Sequence, residues 1–238
     1  MSDPGMRIRF QIRIAPRVRW ISHLEYLRML TRALRRTGVP LRYSEGYNPH
    51  LRLSFASARP VGLASDAEHV DVLTKEPVDP EGFGQVLDRS LPSGFSVVKA
   101  KAVDPAGPSL ASKVNAARYR FVYRMANSDV SLWERAIEDV RGAYELRIIR
   151  TRRKKPPREI DLKPHLYRVS VEAKTQDQIW ILADMASGSH FNVRPEEFDQ
   201  VLRRFLPCSL GPDIRCLLIH RLDLYRRCND LEIKVWCL

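Results

Sequence analysis

The densest run of cations in the chain is Thr151-Arg152-Arg153-Lys154-Lys155-Pro156-Pro157-Arg158. Like charges held this close repel one another, and they gain free energy when phosphates neutralise them and release condensed counterions. Pro156 and Pro157 argue against a helix, so the expected form is an extended loop that clamps phosphate or, more plainly, keeps the protein soluble. Arg28, Arg32, Arg35 and Arg36 form a second basic feature, because their spacing aligns them as one stripe along a helix. Arg7, Arg9 and Arg13 alternate with Ile8, Phe10, Ile12 and Ile14, and Arg118, Arg120 and Arg124 alternate with Tyr119, Phe121, Tyr123 and Met125. Period-two alternation of this kind predicts strands with one apolar face and one cationic face. The aromatics fall on the inward register, so phosphate and shape contacts in a groove lined by arginine are expected here, and not base stacking.

Acid–base chemistry has fewer candidates. His23 falls on the first turn of a helix, where backbone N–H groups favour a nearby anion, and it could act as acid or base there. Arg42-Tyr43-Ser44-Glu45-Gly46-Tyr47-Asn48-Pro49-His50 gathers tyrosines, an acid, a histidine and turn formers into what reads as a shaped binding or conformational loop, with Tyr43, Glu45, Gly46, Tyr47, Asn48 and His50 as its candidate residues. Tyr47 and His50 are the residues that could assist His23. Arg158-Glu159-Ile160-Asp161-Leu162-Lys163-Pro164-His165 mixes both signs of charge, and Ser187-Gly188-Ser189-His190-Phe191-Asn192-Val193-Arg194-Pro195-Glu196-Glu197 leads into the last helix. Small residues at 187–189 can take an anion on free N–H groups, although capping and turn formation explain them equally well. Phosphate loops, zinc pairs, nucleophile elbows and dinucleotide fingerprints do not occur in the sequence. Cys208, Cys216, Cys228 and Cys237 lack any Cys-x-x-Cys pair, so they read as reduced thiols, with no metal or cofactor expected.

Composition points to the same class of partner. The 238 residues carry Lys plus Arg 40 against Asp plus Glu 28, a formal charge of +12 that favours a polyanion, with nucleic acid first. At 44% hydrophobic residues the chain has enough apolar side chains to build a core, which sets it apart from disordered basic tails. No stretch of about 18 apolar residues and no secretory signal is found, so the expected location is the cytoplasm, with no membrane partner.

The elements that must position these residues follow from pattern. The strand over 7–14 is followed by Ser22-His23-Leu24-Glu25, a capping box, and by Leu24, Leu27, Leu30 and Leu34 at helical spacing up to Gly38. Strands are expected over 51–56 and 69–73, a helix from Pro80, and a strand over 95–102. That order, β-α-β-β-α-β, is the ferredoxin-like arrangement. After Asp104-Pro105-Ala106-Gly107-Pro108-Ser109 the pattern starts again: a strand from Arg118, a second capping box at Ser131-Leu132-Trp133-Glu134, strands over 144–149, 166–173 and 179–185, a helix from Pro195, a strand over 216–225 and a hairpin partner over 231–236 across Asn229-Asp230. The expected fold is α+β, a tandem of ferredoxin-like repeats with antiparallel sheets. Its first domain spans 1–104, its linker 105–115, and its second domain 116–238 with a basic insertion at 150–164.

Trp20-Ile21-Ser22-His23-Leu24-Glu25, Arg42 to His50 and Ala58-Arg59-Pro60-Val61-Gly62 resemble an uncharacterised bacterial family of radical SAM-linked proteins, and Arg158-Glu159-Ile160-Asp161-Leu162 with Val193-Arg194-Pro195-Glu196-Glu197 resembles its second half. The likeness runs from about Met6 onward. It implies a domain fused to, or encoded beside, a radical SAM enzyme with a cobalamin-binding-type domain, often near genes for ribosomal proteins and an RNA-processing ribonuclease. The cluster motif of the radical enzyme itself is absent, so the resemblance implies a substrate-presenting partner with the hard chemistry done elsewhere. The first half is also distantly similar to CRISPR repeat-processing endoribonucleases, tandem ferredoxin-like proteins that use a histidine near the first helix; His23 is the one position that resemblance invites, and the likeness is one of fold.

Taken together, these features lead to the expectation of a non-catalytic module that binds structured RNA, such as rRNA or tRNA, for a radical SAM enzyme acting in RNA or ribosome modification. One rival is a metal-independent endoribonuclease using His23, Tyr47 and His50. Another is a protein-binding scaffold for the radical SAM partner.

Overall fold

The computed structural model describes residues 5–124, 130–152, 155–207, 214–229 and 231–238. It is a mixed α+β protein with antiparallel strand pairs, divided into two compact units: Met1–Asn115 with His220–Leu238, and Ala116–Ile219. Among the described residues no helix is long and apolar enough to cross a membrane.

The first unit contains β1 (Arg7–Ile14), α1 (His23–Arg36), β2 (Leu53–Phe55), β3 (Leu63–Leu73), α2 (Pro80–Ser90), β4 (Phe95–Val103) and the single turn α3 (Leu110–Lys113). β1 lies between β3 and β4, and β2 pairs with β3, which gives the order β4-β1-β3-β2. Ile8, Phe10, Ile12 and Ile14 are fully buried, as their alternation requires, and they pack with Tyr26, Leu30, Ala33 and Leu34 of α1 and Phe83 and Leu87 of α2. The Ser22 capping box starts α1: the Glu25 N–H donates to Ser22 Oγ at 3.2 Å, and the Ser22 N–H donates to Glu25 Oε2 at 2.7 Å. Asp79 caps α2 through the N–H groups of Glu81 and Gly82, with Pro80 opening the helix. Two expected strands change length: the one over 51–56 shortens to β2, and the one over 69–73 extends to β3.

The division of the chain also differs from the contiguous one. β10 (Cys216–Cys228) enters this unit at His220, and β11 (Leu231–Lys234) pairs back onto it from Tyr225↔Lys234 to Cys228↔Leu231. Asn229 takes the left-handed conformation at the turn, φ 54°, while Asp230 lies outside the described residues. The C-terminal segment belongs here because its partners do: Arg221 pairs with Glu68, and the Val235 carbonyl accepts from Arg9 Nη1 at 2.8 Å. The stretch at 105–115 is likewise held to this unit, since Arg7 donates to the carbonyls of Pro105 at 2.6 Å and Gly107 at 2.8 Å.

The second unit contains β5 (Ala116–Arg124), α4 (Val130–Gly142), β6 (Arg147–Arg152), β7 (Lys155–Asp161), β8 (Leu166–Lys174), β9 (Gln178–Ala186) and α5 (Pro195–Phe205). β9 lies between β5 and β8, and the opening residues of β10 neighbour β5. Tyr119, Phe121 and Tyr123 are buried, with Phe121 against Phe198 of α5 at 4.8 Å and Tyr123 against Trp133 of α4 at 5.0 Å between ring centroids. Ser131 lies inside α4 and not at its cap, because the helix already includes Val130. Met125 and Cys208 are outside the described residues. The extended loop expected around 151–158 is instead a two-stranded ribbon, β6 with β7, paired from Arg147↔Asp161 to Arg152↔Lys155. Successive residues of a strand send their N–H positions to opposite sides, so one of Pro156 and Pro157 falls on the open edge of β7, and the register irregularity between Arg150 and Arg152 accommodates the other.

Candidate nucleic-acid interface

The arginines of the opening strands do not form the free cationic faces expected of them. Arg9 is sealed from solvent and bound to Asp71 on β3, and Arg13 pairs with Asp66 at 2.9 Å. In the second unit Arg118 makes a two-point pair with Asp184 at 2.7 Å, and Arg120 does the same with Glu172 at 2.5 and 2.6 Å. A buried guanidinium without a counter-charge is costly, so Arg9 and Arg118 are each matched by a carboxylate on the neighbouring strand, while Arg120 reaches Glu172 on β8, one strand further on. Arg124 remains exposed at the end of β5.

The α1 stripe is different. Arg28, Arg32, Arg35 and Arg36 are all exposed, and neither Arg28 nor Arg32 closes an ion pair or hydrogen bond with a described carboxylate. Their stripe follows from the same helical period that buries Tyr26, Leu30, Ala33 and Leu34 on the opposite side. Arg28, Arg32 and Arg36 line a shallow groove of about 540 Å³ with Ser90, Leu91 and Pro92, and Arg36 is steadied by donating to the Ser90 carbonyl at 2.5 Å. Glu25, the acid at the rim, is occupied by the Ser22 N–H, a hydrogen bond that holds its carboxyl below the ordinary range. Arg35 turns aside, with its guanidinium 5.9 Å from the Tyr43 ring centre.

The 43–50 loop therefore borders α1 through Tyr43. Tyr43, Glu45, Gly46, Tyr47, Asn48 and His50 are exposed, and Gly46 has φ +113°, a conformation that favours glycine. The loop is held largely by its own bonds, the Ser44 N–H to the His50 carbonyl at 2.7 Å and the His50 N–H to Ser44 Oγ at 2.9 Å. His23 is not brought to it by any described contact: its ring meets Phe55 at 5.1 Å and Tyr26 at 6.5 Å. Burial pushes the His23 imidazole below its ordinary value, opposed by Glu68 and reinforced by Arg59 and Arg221. Arg59 is itself buried and donates to the carbonyls of Arg19, Ile21 and Leu63, fixing the approach to α1. The thiol of Cys216 is pushed up to about 12, chiefly by burial, so it is inert as a nucleophile near neutral pH.

In the second unit, a cleft of about 960 Å³ opens beneath the β6–β7 ribbon. Its lining comes from the two segments whose mixed chemistry stands out in the sequence: Arg158 to Asp161 and His165 on one side, and Gly188 to Asn192 and Arg194 on the other. Arg150, buried at its wall, makes a two-point pair with Glu197 at 2.6 Å and donates to the Asn192 carbonyl at 2.9 Å, which ties the ribbon to the start of α5. The His165 and Phe191 rings stack at 3.5 Å with an interplanar angle of 11°, and the Arg150 guanidinium lies 5.4 Å from the Phe191 ring. Burial lowers the pKa of His165, with Asp161 opposing the shift and Arg150 adding to it, so the ring is neutral at pH 7. The acids of the cleft are engaged: Asp161 accepts from the N–H groups of Leu146 and Lys163, and Glu159 lies 3.5 Å from Arg147. Arg158 closes no pair with a described acid. Arg194 is only 3.9 Å from a Glu197 already satisfied by Arg150.

Of the basic run, Arg158 is therefore placed in this cleft. Arg153 and Lys154 lie outside the described residues, and Arg152 and Lys155 are located only by the strands they end. His165, His190, Phe191 and Arg194 were not singled out individually in the sequence. The signal for them was the pair of mixed segments at 158–165 and 187–197, whose meeting in space cannot be read from either one alone.

A search of curated proteins finds no match. Among solved structures, 37 chains match, including one from "Crystal Structure of a Cbf5-Nop10-Gar1 Complex", with 10% identity and a TM-score of 0.48. The alignment covers 90% of this chain, which spans about half of that one, 49%. Residues 7–195 match the family model described as "Uncharacterized protein conserved in bacteria (DUF2344)", and the chain belongs to that family.

Proposed function

We propose that this chain binds RNA through its phosphates and presents it to a radical SAM enzyme that performs the modification. The observation that carries RNA binding is the α1 stripe, where Arg28 and Arg32 stand exposed and close no ion pair or hydrogen bond with a described carboxylate, beside the anchored Arg36. Exposed cations on a chain of charge +12 gain from a polyanion, because each phosphate contact releases a counterion. The radical SAM partner is supported by the sequence motifs around Trp20 to Glu25 and Arg42 to His50, and this chain's role there is to hold and position substrate.

Each unit is read as a ferredoxin-like fold. Support comes from the strand orders β4-β1-β3-β2 in the first unit and β10-β5-β9-β8 in the second, with the β6–β7 ribbon as an insertion. Filter retention of total cellular RNA tests the function: binding should be strong at low salt and fall steeply as salt rises. Retention that is absent, or indifferent to salt, contradicts it.

A further inference from the structure

We infer that the cleft beneath the β6–β7 ribbon holds one unpaired nucleotide of an RNA strand, with its base against the His165–Phe191 stack and its phosphate against Arg158 and Arg194. This deepens the RNA reading above and rests on it. Three observations converge. The cleft, about 960 Å³, is at the upper end of the roughly 300–1,000 Å³ that small-ligand sites occupy, room enough for a nucleotide but too confined for a duplex. Its aromatic surface is already assembled: His165 and Phe191 lie parallel at 3.5 Å, and both line the space. A flat, neutral ring pair is a sequence-tolerant platform for any base, since every base offers a π face. The charge balance of the walls is positive, because Glu197 is satisfied by Arg150 and the other acids by Arg147 or backbone N–H groups, so Arg158 closes no pair with a described acid and Arg194 keeps only a long 3.9 Å contact with Glu197 that an anion can displace.

The architecture also holds these groups in place. Arg150 bridges the ribbon to Glu197 and Asn192, so stack and cations stand on tied elements and not on a free loop. The sheet arginines Arg118 and Arg120, by contrast, are locked to Asp184 and Glu172.

Fluorescence anisotropy with labelled oligoadenylate, and with its duplex with oligouridylate, tests the assignment. His165→Ala should weaken oligoadenylate binding by about 5-fold or more, the loss of one stacked base, and leave the duplex affinity unchanged. Arg158→Ala with Arg194→Ala should also weaken the single strand, whereas Arg28→Glu with Arg32→Glu should weaken both ligands. Ultraviolet crosslinking of the wild-type complex should attach oligoadenylate to the peptide holding His165 or Phe191, a readout that needs no variant to fold. Single-strand affinity unchanged by His165→Ala, or crosslinks that avoid this peptide, overturns the cleft assignment while the α1 reading stands. Binding of neither ligand by the wild type at low salt overturns both.

Discussion

Arg9 and Asp71 stand directly opposite each other on β1 and β3, and their side chains meet at two points, Nε to Oδ1 at 2.8 Å and Nη2 to Oδ2 at 3.1 Å. Both groups are shut off from water, with 2% and 4% of their side chains exposed. Removing one partner strands the other charge in the interior. Arg9→Met should therefore cost about 3–5 kcal/mol of unfolding free energy, and adding Asp71→Leu should return most of it. Urea titrations of the single and double variants measure this; a single variant as stable as the wild type contradicts it.

His69 neighbours that pair and packs edge-on to Trp236 at 5.3 Å. Burial, with Arg9 and Arg221 beside it, lowers the pKa of His69 to about 3. The unfolded chain binds this proton below about pH 6.5 and the folded protein does not until about pH 3, so stability rises with pH across that window. Between those limits His69 alone should contribute a slope of about 1.4 kcal/mol per pH unit, and nothing above pH 6.5. His69→Phe should flatten the acid limb of a stability-against-pH curve by that amount. An unchanged slope counts against a buried neutral imidazole.

How much of this was legible in the sequence depends on whether the answer was local. The alternation of Ile8, Phe10, Ile12 and Ile14 named the core face of β1, and Ser22 with Glu25 named the start of α1. The stripe at Arg28, Arg32 and Arg36 follows from the same periodicity. What covers the other face of β1 was not local: Val235 and Trp236 come from the far end of the chain. Arg9 and Arg118 alternate as free cations would, and the carboxylates that claim them, Asp71 and Asp184, become meaningful only once the register of the partner strands is set. The cleft needed two distant segments to meet, and the Arg150–Glu197 pair that joins them has no signature in either.

His23 offers a direct test of the nuclease alternative. Its ring packs on Phe55 and Tyr26, while Tyr47 and His50 are exposed on a loop it does not contact among the described residues, so no acid–base pair is assembled. Labelled RNA should stay intact with both wild type and His23→Ala. Cleavage by the wild type that His23→Ala abolishes would install the nuclease instead.

On the function proposed above, α1 meets RNA through phosphate contacts. Affinity for one labelled RNA, measured over a series of salt concentrations, gives a log–log slope proportional to the number of phosphates neutralised. Arg28→Glu with Arg32→Glu should lower the affinity and reduce the magnitude of that slope by about 1.4–1.8, the share of two contacts. A variant whose affinity and slope both match the wild type would place the RNA elsewhere and contradict the account.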